Sequence, residues 1–127
     1  MSSTIADMKH YLPEPDDLIV AALHGAASRH AGWTAPEGSA RQAAVTELRE
    51  IAGGRTDLLA QVAGLLLGYA PPGDAMHEHN RIAAELLIDA GADPGAVRAW
   101  IEIGGERRAN ARARPFSRPL PPDERPG

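Results

Sequence analysis

Apolar residues recur three and four positions apart along most of this chain, and that spacing predicts amphipathic helices. No stretch alternates apolar and polar residues as a half-buried strand would, and β-branched residues are few. The sequence therefore predicts an all-α fold. The apolar repeats and the proline or glycine residues between them place the helices at 16–30, 39–52, 56–69, 74–90 and from 94 onward.

Residues with known capping preferences stand at the predicted helix ends. Ser39 followed by Gln42 fits a capping box, and Gly53-Gly54 ends that segment. Thr56 and Asp74 are expected to cap the next two helices, which end at prolines 71–72 and at glycine 91. The pair Asp93-Pro94 opens the last helix, since proline costs nothing at the first helical position.

The joints between successive helices are short. We therefore expect 39–69 and 74–105 to form two helical hairpins. Alanine on the facing surfaces would let the helix axes approach closely. The expected architecture is a compact bundle of four or five helices, with alanines between them at 44, 52, 60, 63, 83, 84 and 90.

The composition predicts a small core and loose ends. Of the residues counted as hydrophobic, 24 are alanine, and Phe116 and Leu120 are the only large apolar residues after 103. So little apolar surface cannot offset roughly 1–2 kcal/mol of backbone entropy per ordered residue. We expect an N-terminal arm at 1–15 with a turn at 3–11, a helical domain at 16–105, and a flexible, disordered, arginine- and proline-rich C-terminal tail at 106–127.

The charge and cysteine content narrow the function classes. With no cysteine, the chain has no disulfide, no thiolate metal site and no cysteine nucleophile. No apolar run approaches the ~20 residues that cross a bilayer, and the N-terminus does not resemble a secretory signal. We expect a cytoplasmic protein that makes no membrane contact. Its net charge of -4 combines an acidic body with a basic end.

The chain resembles two groups of known proteins. Four segments resemble small all-helical hypothetical proteins of high-GC actinobacteria, a group with no assigned activity. These segments are the run at 47–60, Ala-Gly-Ala-Asp at 90–93, Trp-Ile-Glu at 100–102 and the ending at 112–117. Ala-Glu-Leu-Leu at 84–87 and Val-Arg-Ala-Trp-Ile at 97–101 resemble the helix-turn-helix of excisionase-type proteins. Their separation is about three residues too long for that motif. The second resemblance implies that the 81–105 segment contacts DNA.

His77-Glu78-His79 is the most prominent candidate metal site. On a helix, however, two residues two positions apart point about 200 degrees away from each other. No zincin spacing accompanies the cluster, so we expect a solvated first turn and no bound metal or other cofactor. The turn Gly53-Gly54-Arg55-Thr56 is typical of anion sites at helix starts, but Asp57 would repel an anion, and a helix stop and restart explains the turn.

The acidic pairs do not form an evident catalytic set. Asp16 with Asp17, and Glu85 with Asp89, have the distribution of a solvent-exposed face, as do glutamates 47 and 50. Arg81 is spaced for exposed ion pairs with the glutamates at 78 and 85. No triad or nucleophile elbow is present. We therefore predict a protein that is not an enzyme and has no catalytic residue.

The two tryptophans differ in setting. Trp100 lies in a helical apolar stripe and is expected to be a core anchor. Trp33 lies between helices, where a large ring usually covers the edge of a core. An exposed Trp33 would instead indicate a contact surface.

The leading hypothesis is a non-catalytic helical module that recognises a partner protein, either through an apolar groove or through the basic tail. The alternative is a small DNA-associated regulator that uses the 81–105 hairpin and the arginines. A homodimer is a further expectation, because helices with so few large residues often complete their core across a two-fold axis. The candidate contacts are Arg98, Arg107, Arg108, Arg112, Arg114 and Arg118.

Overall fold

The computed structural model describes residues 15–113, and all of the regular structure in this range is helical. The all-α class and the number of helices agree with the prediction. Residues 1–14 of the predicted arm, with the turn at 3–11, lie outside the described residues, as does the chain from residue 114 onward. The helices are α1 Pro15–Ala31, α2 Gly38–Ala52, α3 Thr56–Tyr69, α4 His77–Asp89 and α5 Pro94–Ala113.

Several helix ends form as predicted. Gly53 ends α2 in the left-handed conformation, and its N–H donates to the carbonyl of Arg49 at 3.0 Å. The carboxylate of Asp93 accepts the N–H of Ala96 at 2.9 Å at the start of α5. The carboxylate of Asp74 accepts a backbone N–H in the same way, but it stabilises the turn that precedes α4.

Three predicted N-caps are wrong, because Met76, not Asp74, precedes the first residue of α4. The other two are at the starts of α2 and α3. Glu37, not Ser39, precedes the first residue of α2, and its side chain makes no capping hydrogen bond. Thr56 is the first residue of α3 and does not cap it. In both places the helix begins one or two residues earlier than the capping preference suggests, because the turn before it already has helical hydrogen bonds.

Helix α3 is the centre of the fold. It packs along α5 and against α4, and it also meets α1. Helix α1 in turn packs on α2 and α4. The two packed hairpins predicted at 39–69 and 74–105 are therefore not observed: α2 touches α3 at few positions, and α4 and α5 each pack against α3.

The interface between α3 and α5 explains this pairing. A Cβ atom at Gly68 would lie 2.5 Å from the carbonyl oxygen of Ile101, 2.8 Å from the Cα of Gly104 and 2.9 Å from the next backbone nitrogen. Gly64, one turn earlier, is in similar contact with the backbone of Val97. Because the order of contacts is the same on both helices, α3 and α5 run parallel. The two glycines remove the side chains that would keep α5 away.

The core contains many alanines and few large residues. All seven alanines predicted between helices are buried. The largest fully buried side chains come from four of the helices: Leu23, Leu48, Leu59, Ile82, Leu86 and Leu87. Alanine therefore sets short distances between helices, and a few leucines provide most of the buried apolar volume.

The last helix is longer than predicted. Helix α5 continues to Ala113, so the boundary expected at 105/106 is wrong and residues 106–113 are helical. Ala, Arg and Glu are good helix formers, so they extend α5 with little apolar content. None of the five described helices combines the length and apolar content that a membrane-spanning helix needs.

Candidate functional site: an apolar groove between α1 and α3

A groove of about 480 Å³ lies between α1 and α3 and is lined mainly by apolar side chains. Helix α1 provides one wall and the second half of α3 provides the other. Asn80, on α4, contributes to the lining. Tyr69 is 43% exposed there, so a large aromatic surface is open to solvent. The apolar lining is Val20, Ala21, Val62, Leu65, Leu66 and Tyr69.

Arg55 holds the starts of α1 and α3 together. Its guanidinium donates two hydrogen bonds to the Asp16 carboxylate, at 2.9 and 3.0 Å. It also donates to Asp57 at 3.1 and 2.9 Å. Both carboxylates belong to first helical turns, so one side chain joins two helix starts. Arg55 is therefore already paired with two carboxylates. The Gly53-Gly54-Arg55-Thr56 turn ends one helix and starts the next, which is the structural role that the sequence predicted.

We predict that replacing Arg55 with glutamine raises the pKa of Asp16 and Asp57. Hydrogen bonds from Arg55 hold both carboxyl pKa values below the ordinary value of 3.8. A lowered folded-state pKa stabilises the fold above the unfolded-state pKa, and that stabilisation is lost as the pH falls through the folded-state value. Carboxyl NMR titration of wild type and R55Q measures the shift. Unchanged pKa values in R55Q would contradict the assignment.

The side chain of Asn80 ties α4 to α3 at the groove. Its Nδ2 donates to the carbonyl of Leu66, in the last turn of α3, at 2.9 Å. The amide therefore gives that carbonyl a partner near a helix end, where acceptors are in excess. The wall of the groove is fixed by this bond between two helices.

The two histidines of the 77–79 cluster point in different directions, as helical geometry predicts. The Nδ1 atom of His77 lies 2.8 Å from the carbonyl oxygen of Ala70, and Nδ1 of His79 lies 2.9 Å from that of Gly32. Since a carbonyl only accepts, each Nδ1 donates. Each ring is half-buried and fastens a different loop, so the expectation of a solvated first turn is wrong. Within residues 15–113 no three potential metal ligands converge.

The predicted ion pairs of α4 are confirmed. Arg81 donates to Glu78 at 2.7 Å and to Glu85 at 2.5 Å. The acidic side chains interpreted as a solvent face are exposed or half-buried. Asp89 pairs with Arg41 of α2. Arg49, also on α2, donates hydrogen bonds to the carbonyls of Asp89 and Ala90 at the end of α4. The pairs of Arg81 therefore lie within α4, whereas the pair of Asp89 with Arg41 joins α4 to α2.

Both tryptophans are more exposed than predicted. Trp33 is 62% exposed, and its ring centroid lies 5.7 Å from that of His79, which makes it a contact-surface candidate. Trp100 is only half-buried, so its assignment as a core anchor is wrong. Its Cβ packs against the backbone at Gly64, where no side chain stands in its way.

Trp100 and Ile103 are half-buried apolar residues of α5, and neither belongs to the groove lining. The sequence patterns marked Leu65, Tyr69 and Trp100 only as core candidates and did not single out Ile103.

Among the predicted arginine contacts whose side chains the structure describes, Arg98, Arg107 and Arg108 do not converge on one surface. Arg98 and Arg107 are exposed, but nine residues of helix place them on opposite sides of α5. Arg108 is half-buried and pairs with Asp74 at 3.1 Å. Arg112 lies in the last turn of α5. Arg114 and Arg118 lie outside the described residues.

No protein family, curated protein or solved structure matches the chain.

Proposed function

We propose that this chain is a non-catalytic helical module that binds a partner protein in the groove between α1 and α3. The observation that carries the proposal is an open groove whose walls are mainly apolar and include a Tyr69 ring that is nearly half exposed. Exposed apolar surface of this kind is typical of interaction sites. The exposed Trp33 supports a second contact region.

The groove best fits an amphipathic helix of the partner. Two helix walls present a mainly apolar channel, which accepts side chains spaced three and four residues apart on a third helix. Asp17 and His24 line the α1 wall and are exposed. They would set the orientation of the bound helix by pairing with polar residues at its margin.

A DNA-associated role has less support. The 81–105 segment forms two helices that both pack on α3, and the exposed arginines of α5 point away from each other. The body of the chain is acidic, which disfavours phosphate contacts. A cytoplasmic location is part of the proposal, and the absence of cysteine is consistent with it.

We predict that a photo-crosslinking amino acid at Tyr69 captures one discrete protein in the cells that naturally produce the chain. The same group at Ile88, an exposed residue on α4 outside the groove lining, is the matched control and should capture none. Mass spectrometry of the adduct identifies the partner. A chain that ends at Ala113 and carries the same group at Tyr69 should form the same crosslinked adduct, because the groove needs no later residue. Equal capture at both positions, or none at Tyr69, would refute the groove as a binding site.

A further inference from the structure

The α1 wall of the groove is apolar in the middle and polar at both ends. Asp17, in the first turn of α1, marks one end, and His24 marks the other. Seven residues separate them, which is about 10 Å of helix. Val20 and Ala21 line the wall between them. A segment that covers this wall is therefore apolar and about two helical turns long.

The polar group at the start of this wall is available to a ligand. The side chain of Asp17 is exposed and forms no hydrogen bond or ion pair with another residue of 15–113. Its neighbour Asp16, by contrast, is paired with Arg55. A helix bound in the groove is thus favoured when it brings basic residues to the Asp17 end.

The sequence that directly precedes α1 predicts a helix with these properties. Thr4, with Asp7 three residues on, fits a capping pattern, and Pro13 is expected to stop the helix before it. A helix over 5–12 is about 12 Å long, close to the length of the α1 wall. Its apolar residues, spaced three and four positions apart, are Ile5, Met8 and Leu12.

The connection to α1 brings this segment to the groove. Pro15 is the first residue of α1, and residues that precede prolines avoid the helical conformation, so 5–12 cannot continue α1 as one straight helix. Three residues span at most about 10 Å, which keeps Leu12 near the first turn of α1. A helix over 5–12 that lies in the groove then runs antiparallel to α1. Its last turn, with Lys9 and His10, falls beside Asp17.

We propose that residues 5–12 form an amphipathic lid that covers the groove and that the partner helix displaces. The inference rests on the proposed function, because it assigns regulation to the same site. The lid offers the apolar spacing that the groove accepts from a partner helix. A helix of this length is marginal without packing contacts, so the lid opens readily. Partner affinity then falls in proportion to the fraction of molecules whose groove is covered.

Single cysteines report whether the groove is covered, because the chain has none of its own. In the full chain, Ala21→Cys places a thiol in the groove. Ala22→Cys, also at an exposed position of α1 but outside the groove lining, is the matched control. We expect dithionitrobenzoate to modify position 21 about tenfold more slowly than position 22, as for a groove that is open in roughly one tenth of the molecules.

A second substitution tests whether the lid causes this protection. Met8→Asp puts a charge on the apolar side of the lid and should raise the rate at position 21 to that at position 22. Ala6→Asp adds the same charge away from the apolar side and should change neither rate. Met8→Asp should also increase the yield of the adduct at Tyr69.

Equal rates at positions 21 and 22 would overturn the lid, as would protection that survives Met8→Asp. Protection that grows with protein concentration also overturns it, because a second copy would then cover the groove. The two proposals fail separately. A partner captured at Tyr69 without protection at position 21 refutes only the lid, and protection without capture refutes only the partner.

Discussion

Replacing Gly68 with alanine is expected to lower the free energy of unfolding by about 3 kcal/mol, although alanine is intrinsically the better helix former. The added Cβ would lie between 2.5 and 2.9 Å from three backbone atoms of α5. Backbone atoms of a helix cannot rotate away as a side chain can. The two helices must therefore separate, and their contacts along the interface are lost.

Gly105→Ala is the control, because a Cβ atom at Gly105 meets nothing within 4 Å. There only helix propensity acts, and we expect a gain of up to about 1 kcal/mol. Urea denaturation of both variants measures the difference. Hydrogen exchange adds a local signature, since α3 is the main neighbour of α5. In G68A the amides of α5 should lose protection before those of α1. Equal stability of the two variants would contradict the close approach of α3 and α5.

The positions of the helices could be predicted from the sequence because they depend on local signals. Apolar spacing, proline and glycine predict both ends of the first four helices and the start of the fifth to within a few residues, and the seven alanines at predicted interfaces are buried. The end of α5 lies beyond the predicted boundary because low apolar content does not by itself prevent a helix. Helix propensity and the pair of Arg108 with Asp74 are consistent with helix there.

The pairing of helices could not be deduced from joint length. Gly64 and Gly68 are spaced one turn apart on α3, and this spacing was the available signal for close packing with another helix. The glycines do not indicate which helix approaches them. That choice depends on long-range fit between α3 and α5, which no local pattern encodes.

The sequence predicted that an apolar groove could bind a partner, but it did not identify the residues that line the groove. Its walls come from α1 and α3, which are separated by a whole helix in sequence, so no single window contains it. The role of His79 was missed for the same reason, because its carbonyl partner, Gly32, is 47 residues away in sequence. The partner of His77 is Ala70, in the loop directly before α4, and no sequence pattern indicates that contact. The prediction for Trp100 failed for a different reason, because it assumed more burial than the structure has. A helical apolar stripe indicates one side of a helix, and an edge helix leaves part of that side exposed.

Replacing Leu86 with alanine is expected to remove about 3 kcal/mol of stability, within the range for buried leucines. Leu86 is fully buried and is one of the six largest fully buried side chains within residues 15–113. Alanine neighbours are short and cannot extend to fill the cavity, so little of the loss is recovered. For a domain of this size the melting temperature should fall on the order of 10–20 °C.

Ile88→Ala, two residues further along α4, is the control for Leu86→Ala. Ile88 is 37% exposed, so its truncation should cost about 1 kcal/mol or less. Thermal unfolding followed by circular dichroism compares the two variants directly. A similar fall in melting temperature for both would mean that the core does not depend on its few leucines. A much larger fall for L86A supports a core in which alanines set the distances between helices and the leucines provide most of the buried apolar area.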